Sequence, residues 1–201
     1  MNYKAEICKI GKMMEEKGYV DCLEGNISIL DRENNKLYIT PTATRKMFLT
    51  EDQVAVLDFT TEEQLEGSLK SSSEYRLHKA ALLARPDCNA CVHCHSKYLT
   101  SYAVQGKDIT IRSNTIMALV NGNIPCIPFG QPGTTHIADG LAEKLANKDA
   151  CLLGNHGVVV VAKDLSKASA IHESLEKAVE IDYLAKALGG QPIEIQNYYK
   201  D

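Results

Sequence analysis

The chain has 201 residues, 44% of them apolar and 24% charged, and a formal net charge of −4. That length suits one domain able to bury its own core without staples, and the acidic balance excludes nucleic-acid binding through a basic surface. No run approaches the ~20 apolar residues of a membrane span. Lys4, Glu6, Lys9, Lys12 and Glu15 break up the region where a secretory signal core would sit, and with seven cysteines, an odd number, the expected setting is the reducing cytoplasm.

Ile7, Ile10 and Met14 fall at helical spacing and predict an amphipathic helix over 2–17 that Gly18 closes. Strands over 26–30 and 36–40 flank a polar stretch and read as a hairpin. Thr50 to Gln53 has the form of a capping box, hence a helical turn, and a strand over 54–59 follows. Ser72 and Ser73 open a helix that Pro86 stops near Arg85. A strand over 90–95 precedes a helix capped by Ser96 and ended by Gly106. Next come a strand over 124–129 and a helix over 135–147, with Ile137, Leu141 and Leu145 as its buried stripe. Strands over 150–153 and 158–162 are separated by Gly154-Asn155-His156-Gly157, and a long helix over 165–188 ends at Gly189-Gly190. Hairpins interleaved with helices predict a single α/β domain over 1–190, built on a central, mainly antiparallel sheet flanked by helices. A tail over 191–201 follows.

Cys91-Val92-His93-Cys94-His95 carries the strongest chemical signal. Residues two apart on a strand share a face, so His93 and His95 project together, a two-point grip for a metal such as zinc. Iron or cobalt suits the same donors. The alternative is a histidine pair exposed on an edge strand. A third ligand must come from afar, and His156 is the best candidate: its glycine-flanked turn between apolar strands makes sense if the backbone must bend to aim the ring. His78, His136 and His172 read as ordinary exposed or core-satisfied histidines. The segment also matches the Cys-x-x-Cys-His haem attachment pattern, but its strand-like context speaks against haem. A redox pair is equally disfavoured, because the two cysteines would point to opposite faces.

Ser71-Ser72-Ser73-Glu74 exceeds what capping needs, and a helix start lined with hydroxyls is a natural phosphate site. Gly25-Asn26-Ile27-Ser28 and Thr40-Pro41-Thr42-Ala43 have the same character, whereas no lysine-bearing P-loop occurs.

Five segments in one order, Gly25-Asn26-x-Ser28, Ile39-Thr40-Pro41-Thr42, Ser72-Ser73-Glu74, His93-x-His95 and Asn155-His156-Gly157, resemble the class II aldolase/adducin family over about residues 5–185. The chain is most similar to that family's L-fuculose-1-phosphate aldolase branch. The resemblance implies Zn²⁺ held by His93, His95 and His156, with Glu74 as both ligand and acid/base. It implies a phosphate pocket made by Gly25, Asn26, Thr42, Ala43, Ser72 and Ser73, and a fourfold-symmetric homotetramer with sites between neighbouring subunits. The implied reaction is reversible cleavage of a ketose 1-phosphate to dihydroxyacetone phosphate and an aldehyde through an enediolate. Same-scaffold alternatives are a decarboxylase, a dehydratase and a ribulose-5-phosphate 4-epimerase; an adducin-like assembly protein is the non-enzymatic one. Glutamate at 74, where epimerases tend to carry aspartate, favours an aldolase, as does the absence of the epimerases' longer C-terminal region. Two departures stand out. The proton-donating tyrosine expected within 112–117 is absent, with Asn114 near its place, so Tyr198 or Tyr199 of the tail is expected to supply a phenol. Ala43 stands where a glycine is usual.

Overall fold

The computed structural model describes residues 2–117, 119–120 and 122–190. Within them runs one eight-stranded sheet. Its strands are β1 (Asn26–Asp31), β2 (Lys36–Ile39), β3 (Ala55–Asp58), β4 (Gln64–Glu66), β5 (Ala90–Cys94), β6 (Cys126–Ile127), β7 (Ala150–Leu153) and β8 (Gly157–Ala162). They lie in the order β4-β3-β2-β1-β5-β8-β7-β6. Every pairing is antiparallel except β6 with β7. The helices are α1 (Tyr3–Glu16), α2 (Tyr75–Ala84), α3 (Lys97–Val104), α4 (Asn114–Met117), α5 (Leu141–Leu145) and α6 (Leu165–Ala187). This is the expected α/β domain on a largely antiparallel sheet.

The central strands read as unbroken apolar runs because both faces are covered. Ile27, Val92, Val158 and Val160 face a core shared with α1, α3 and α6. Leu37, Leu57, Val159 and Val161 face a second core with α2 and α5. The alternation also separates two cysteines: Cys94 belongs to the first core and Cys91 to the second, and all seven are free thiols.

Several boundaries differ from expectation. The helix expected over 135–147 is a 3₁₀ turn, Thr135–Ala138, and then α5, broken by Gly140 at φ +81°. Its stripe of Ile137, Leu141 and Leu145 is nonetheless buried. The strand expected over 124–129 shrinks to β6, since Pro125 and Pro128 on either side cannot donate to a ladder. α2 starts at Tyr75 rather than at Ser72 or Ser73. Ser96 does not cap α3 with its own hydroxyl; the carboxylate of Glu176 on α6 accepts the N–H groups of Tyr98 and Leu99 at 2.8 and 2.9 Å. β4 and α4 carried no periodic signal, and every residue of β4 is exposed.

Candidate active site

The site forms where strand register brings three chain segments onto one face of the sheet. Asn26 on β1 lies directly across from His93 on β5, and Ser28 across from Cys91. Cross-strand partners share a face, so Asn26, Ser28 and His93 all look toward α2. There Glu74, at the N-cap position, and His78, one turn later, meet them. His95 follows two residues after His93. The turn between β7 and β8 delivers His156.

That turn departs from the expected mechanism in an instructive way. The left-handed residue is Asn155, at φ +55°, not a glycine. The glycines answer to close approach: a Cβ on Gly157 would lie 2.4 Å from the Cys94 carbonyl oxygen and 2.8 Å from the His95 ring. A Cβ on Gly154 would lie 2.8 Å from the Ile127 carbonyl oxygen. Gly157 thus lets His95 and His156 come together. Gly25 combines both needs, with φ +75° and Val20 only 2.4 Å from the place of a Cβ.

The three imidazoles pack edge to face with centroids 4.7–4.8 Å apart. One ligand nitrogen from each lies within 4.8 Å of the others. His93 is fully buried and donates its Nδ1–H to the Val158 carbonyl oxygen at 2.9 Å, which leaves Nε2 bare. His95 Nδ1 faces Glu24 Oε1 at 3.5 Å, and its Nε2 lies 2.9 Å from His93 Nε2. Glu74 completes the group, with Oε1 at 3.2 Å from His156 Nε2 and Oε2 at 3.5 Å from His93 Nε2. Asn26 Nδ2 donates to Glu74 Oε2 at 2.7 Å.

Electrostatics agree with this geometry. Burial, then the neighbouring His156 imidazole, pushes the His95 ring down, and burial holds His93 at about 3. Burial alone would raise the Glu74 carboxyl, but His156, His93 and Asn26 outweigh it and hold the group well below the usual carboxylate range. Three imidazoles beside a carboxylate are the donor set of a divalent transition metal. The bare Nε2 of His93 points at the Nε2 of His95, so the two rings converge on one point where an ion could sit. His156 Nδ1 is buried with no hydrogen-bond partner, so among the described residues Glu74 alone engages that ring by a polar contact. The four side chains fit such an ion.

A cavity of about 350 Å³ opens against this cluster. Gly25, Asn26, Thr42, Ala43, Ser72, Ser73, Glu74, His95 and His156 all line it, so these sequence-derived candidates converge, while His93 lies beneath as the buried floor. Segments 40–42 and 70–72 run side by side, joined by Thr42 N–H to the Lys70 carbonyl oxygen and Ser72 N–H to the Thr40 carbonyl oxygen. Ser72 Oγ accepts the Glu74 N–H at 3.2 Å. Tyr198 and Tyr199 lie outside the described residues. Asn114 starts α4.

Three residues of the site escaped the sequence reading. Glu24 faces His95 and lines the cavity. Lys46, only 3% exposed, donates Nζ to the carbonyl oxygens of Asp21 and Glu24 at 2.6 and 3.0 Å, which pins the loop before Gly25. Burial pushes its ammonium pKa down. His78 is fully buried and bonded to Asn26 and Ser28. Only His78 left a trace in the sequence, being four residues after Glu74 and so on its helical face.

The family model described as the class II aldolase and adducin N-terminal domain matches residues 5–183. The chain is 33% identical over 186 residues to the 5-deoxy-D-ribulose 1-phosphate aldolase of Bacillus thuringiensis serovar kurstaki, covering 92% of this chain and 86% of that protein. It is equally 33% identical, over 196 residues, to the 3-oxo-tetronate 4-phosphate decarboxylase of Haemophilus influenzae, covering 94% and 90%. The solved structure of an L-fuculose 1-phosphate aldolase superposes with a TM-score of 0.90 at 28% identity, covering 98% of this chain and 92% of that one. The chain belongs to the class II aldolase and adducin family, and like the relatives named it is an enzyme of that superfamily. No helix among the described residues is long and apolar enough to cross a membrane.

Proposed function

We propose that the chain is a zinc-dependent aldolase that reversibly cleaves a ketose 1-phosphate, resembling L-fuculose 1-phosphate, into dihydroxyacetone phosphate and an aldehyde in the cytoplasm. The observation that carries this reading is the Glu74 carboxylate, placed between His156 and His93 and open to a cavity also lined by Thr42, Ser72 and Ser73. In this reading His93, His95, His156 and Glu74 hold the metal. A bound divalent cation supplies a Lewis acid beside the breaking bond. Glu74 moves the proton at the three-carbon fragment, help typically worth about 10²–10⁴-fold. Thr42, Ser72 and Ser73 anchor the phosphate together with the backbone at Gly25, Asn26 and Ala43, which fixes the substrate's register. Tyr198 or Tyr199 protonates the aldehyde oxygen. A homotetramer is part of the proposal. Exposed Ile181, Leu184 and Leu188 on and just beyond α6 give it an apolar surface to use, and light scattering tests it.

The deciding experiment combines metal analysis of the purified protein with a panel of ketose 1-phosphates and coupled detection of dihydroxyacetone phosphate. We expect about one zinc per chain and product from at least one ketose 1-phosphate. Stoichiometric metal with no dihydroxyacetone phosphate from the whole panel would reject the aldolase. The specific alternative is decarboxylation of a 3-oxo acid phosphate, favoured by the Haemophilus relative, which is as similar as the aldolase from Bacillus. Release of CO₂ from such a substrate identifies it.

A further inference from the structure

His78 is a buried titratable group that joins the Glu74 network from behind, outside the ring of imidazoles and away from the cavity. Its ring is fully buried, with Nδ1 at 2.7 Å from Ser28 Oγ and Nε2 at 2.5 Å from Asn26 Oδ1. The amide of Asn26 in turn donates Nδ2–H to Glu74 Oε2 at 2.7 Å. Each proton in this line is forced. The NH₂ of Asn26 faces the Glu74 carboxylate, so the amide oxygen faces His78. That oxygen can only accept, so Nε2 of His78 must carry the hydrogen. Burial holds the His78 ring neutral, at about 4. Its Nδ1 is therefore bare, and the Ser28 hydroxyl donates to it. A reversed Asn26 amide would set oxygen against the carboxylate and NH₂ against Nε2–H, two repulsive contacts in place of two bonds.

We propose that His78 is a positioning residue of the reaction: held by Ser28 in its Nε2–H tautomer, it fixes the amide of Asn26 so that Asn26 steadies the Glu74 carboxylate. This rests on the reading of Glu74 as the proton-moving group. It assigns a functional part to a histidine that looks like plain core, and it gives the Asn26 side chain a task apart from the phosphate. Ser28, His78 and Asn26 form a spine behind Glu74, three bonds deep, whose two inner bonds are buried. A carboxylate that must move a proton while held next to a cation needs a fixed bearing on one oxygen, and this spine supplies it on Oε2.

The test uses the metal-loaded enzyme and the metal-free protein. In His78→Phe, which keeps the bulk but not the donor, kcat at saturating metal falls about 10–100-fold, the usual cost of removing an outer-shell partner, while KM for the sugar phosphate stays within about twofold. His78→Gln, whose amide N–H can reach Asn26 Oδ1, recovers most of kcat. In an Asn26→Ala background, His78→Phe lowers kcat no further, because the two act in series. Independently of catalysis, ¹⁵N-histidine spectra of the metal-free wild type show a neutral Nε2–H ring for His78, and that signal shifts in Asn26→Ala. A folded His78→Phe with wild-type kcat, additive losses in the double variant, or an Nδ1–H or doubly protonated His78 overturns the proposal. The tautomer measurement decides even if His78→Phe does not fold. Near-wild-type turnover in Glu74→Gln would instead refute the reading of the site and leave the hydrogen-bond line intact.

Discussion

Two glutamates in this fold, Glu176 buried and Glu74 half-buried, each beside a histidine, have opposite surroundings. Glu176 on α6 is supplied entirely from within: its oxygens accept the backbone N–H groups of Tyr98 and Leu99 and the hydroxyl of Ser96 at 2.8–2.9 Å. Its neighbour His172 shares that same hydroxyl at 3.0 Å. Glu74 receives one amide donor, from Asn26, and otherwise faces His93 and His156, rings whose protons it cannot count on. Identical residue types thus make a closed helix cap in one place and an electron-rich, cation-seeking group in the other. Donor supply, together with access to the cavity, separates structural acid from chemical acid.

Substitution at the two positions should therefore fail in different currencies. Glu74→Gln is expected to lower turnover by about 10²–10⁴-fold, retain metal on the three histidines, and leave the melting temperature of the metal-free protein nearly unchanged. Glu176→Ala strands three buried donors, at about 1–3 kcal/mol each before relaxation. A net loss of about 2–4 kcal/mol is expected, read as a melting temperature lower by about 2–4 °C per kcal/mol for a chain of this size. Equal thermal losses in the two variants would erase the distinction.

Metal separates the regions next. Zinc at about a hundred times its Kd should stabilise the wild type by about 2.7 kcal/mol through linkage. Glu176→Ala should gain as much, since its site is remote from the ion. His156→Ala should gain little and retain substoichiometric zinc after dialysis, as measured by elemental analysis. A full zinc-dependent rise in melting temperature in that variant would place the ion elsewhere.

How visible each region was in the sequence follows from the range of its contacts. The paired projection of His93 and His95 is a two-residue property of a strand, so the metal wall could be read directly, as could the hydroxyl-rich segments around Thr42 and Ser72. The α/β class and the buried stripe of Ile137, Leu141 and Leu145 were equally legible, because apolar spacing survives even where Gly140 breaks the helix. The Glu176 cap was not, since its donors lie 77–80 residues away. Nor was the bond from His78 to Asn26, which spans 52 residues. β4 hid for a different reason: its exposed side chains have no core face to betray the period of a strand. Local geometry writes itself into spacing, whereas polar partnerships made by tertiary packing leave only isolated letters.

The smallest expected effect concerns strain. Four non-glycine residues among those described have positive φ, and two of them, Ala43 at +47° and Asn155 at +55°, stand at the Glu74 site; Glu176 has none in its cap. Asparagine tolerates this conformation through its short polar side chain, but alanine gains nothing to offset the clash of its Cβ with the backbone, a cost of about 1–2 kcal/mol. Ala43→Gly removes that clash yet adds freedom to the unfolded chain, worth about 0.4–1 kcal/mol in the opposite sense. The balance predicts a gain of about 0.5–1 kcal/mol in stability by chemical denaturation. Ala43 also lines the cavity, so the same change widens the pocket by one methyl, and KM for the sugar phosphate should shift by a few-fold. A stability gain with unchanged KM would mean that the strain at Ala43 serves only the loop. A change in KM without a stability gain would mean that the methyl is there to shape the substrate's seat.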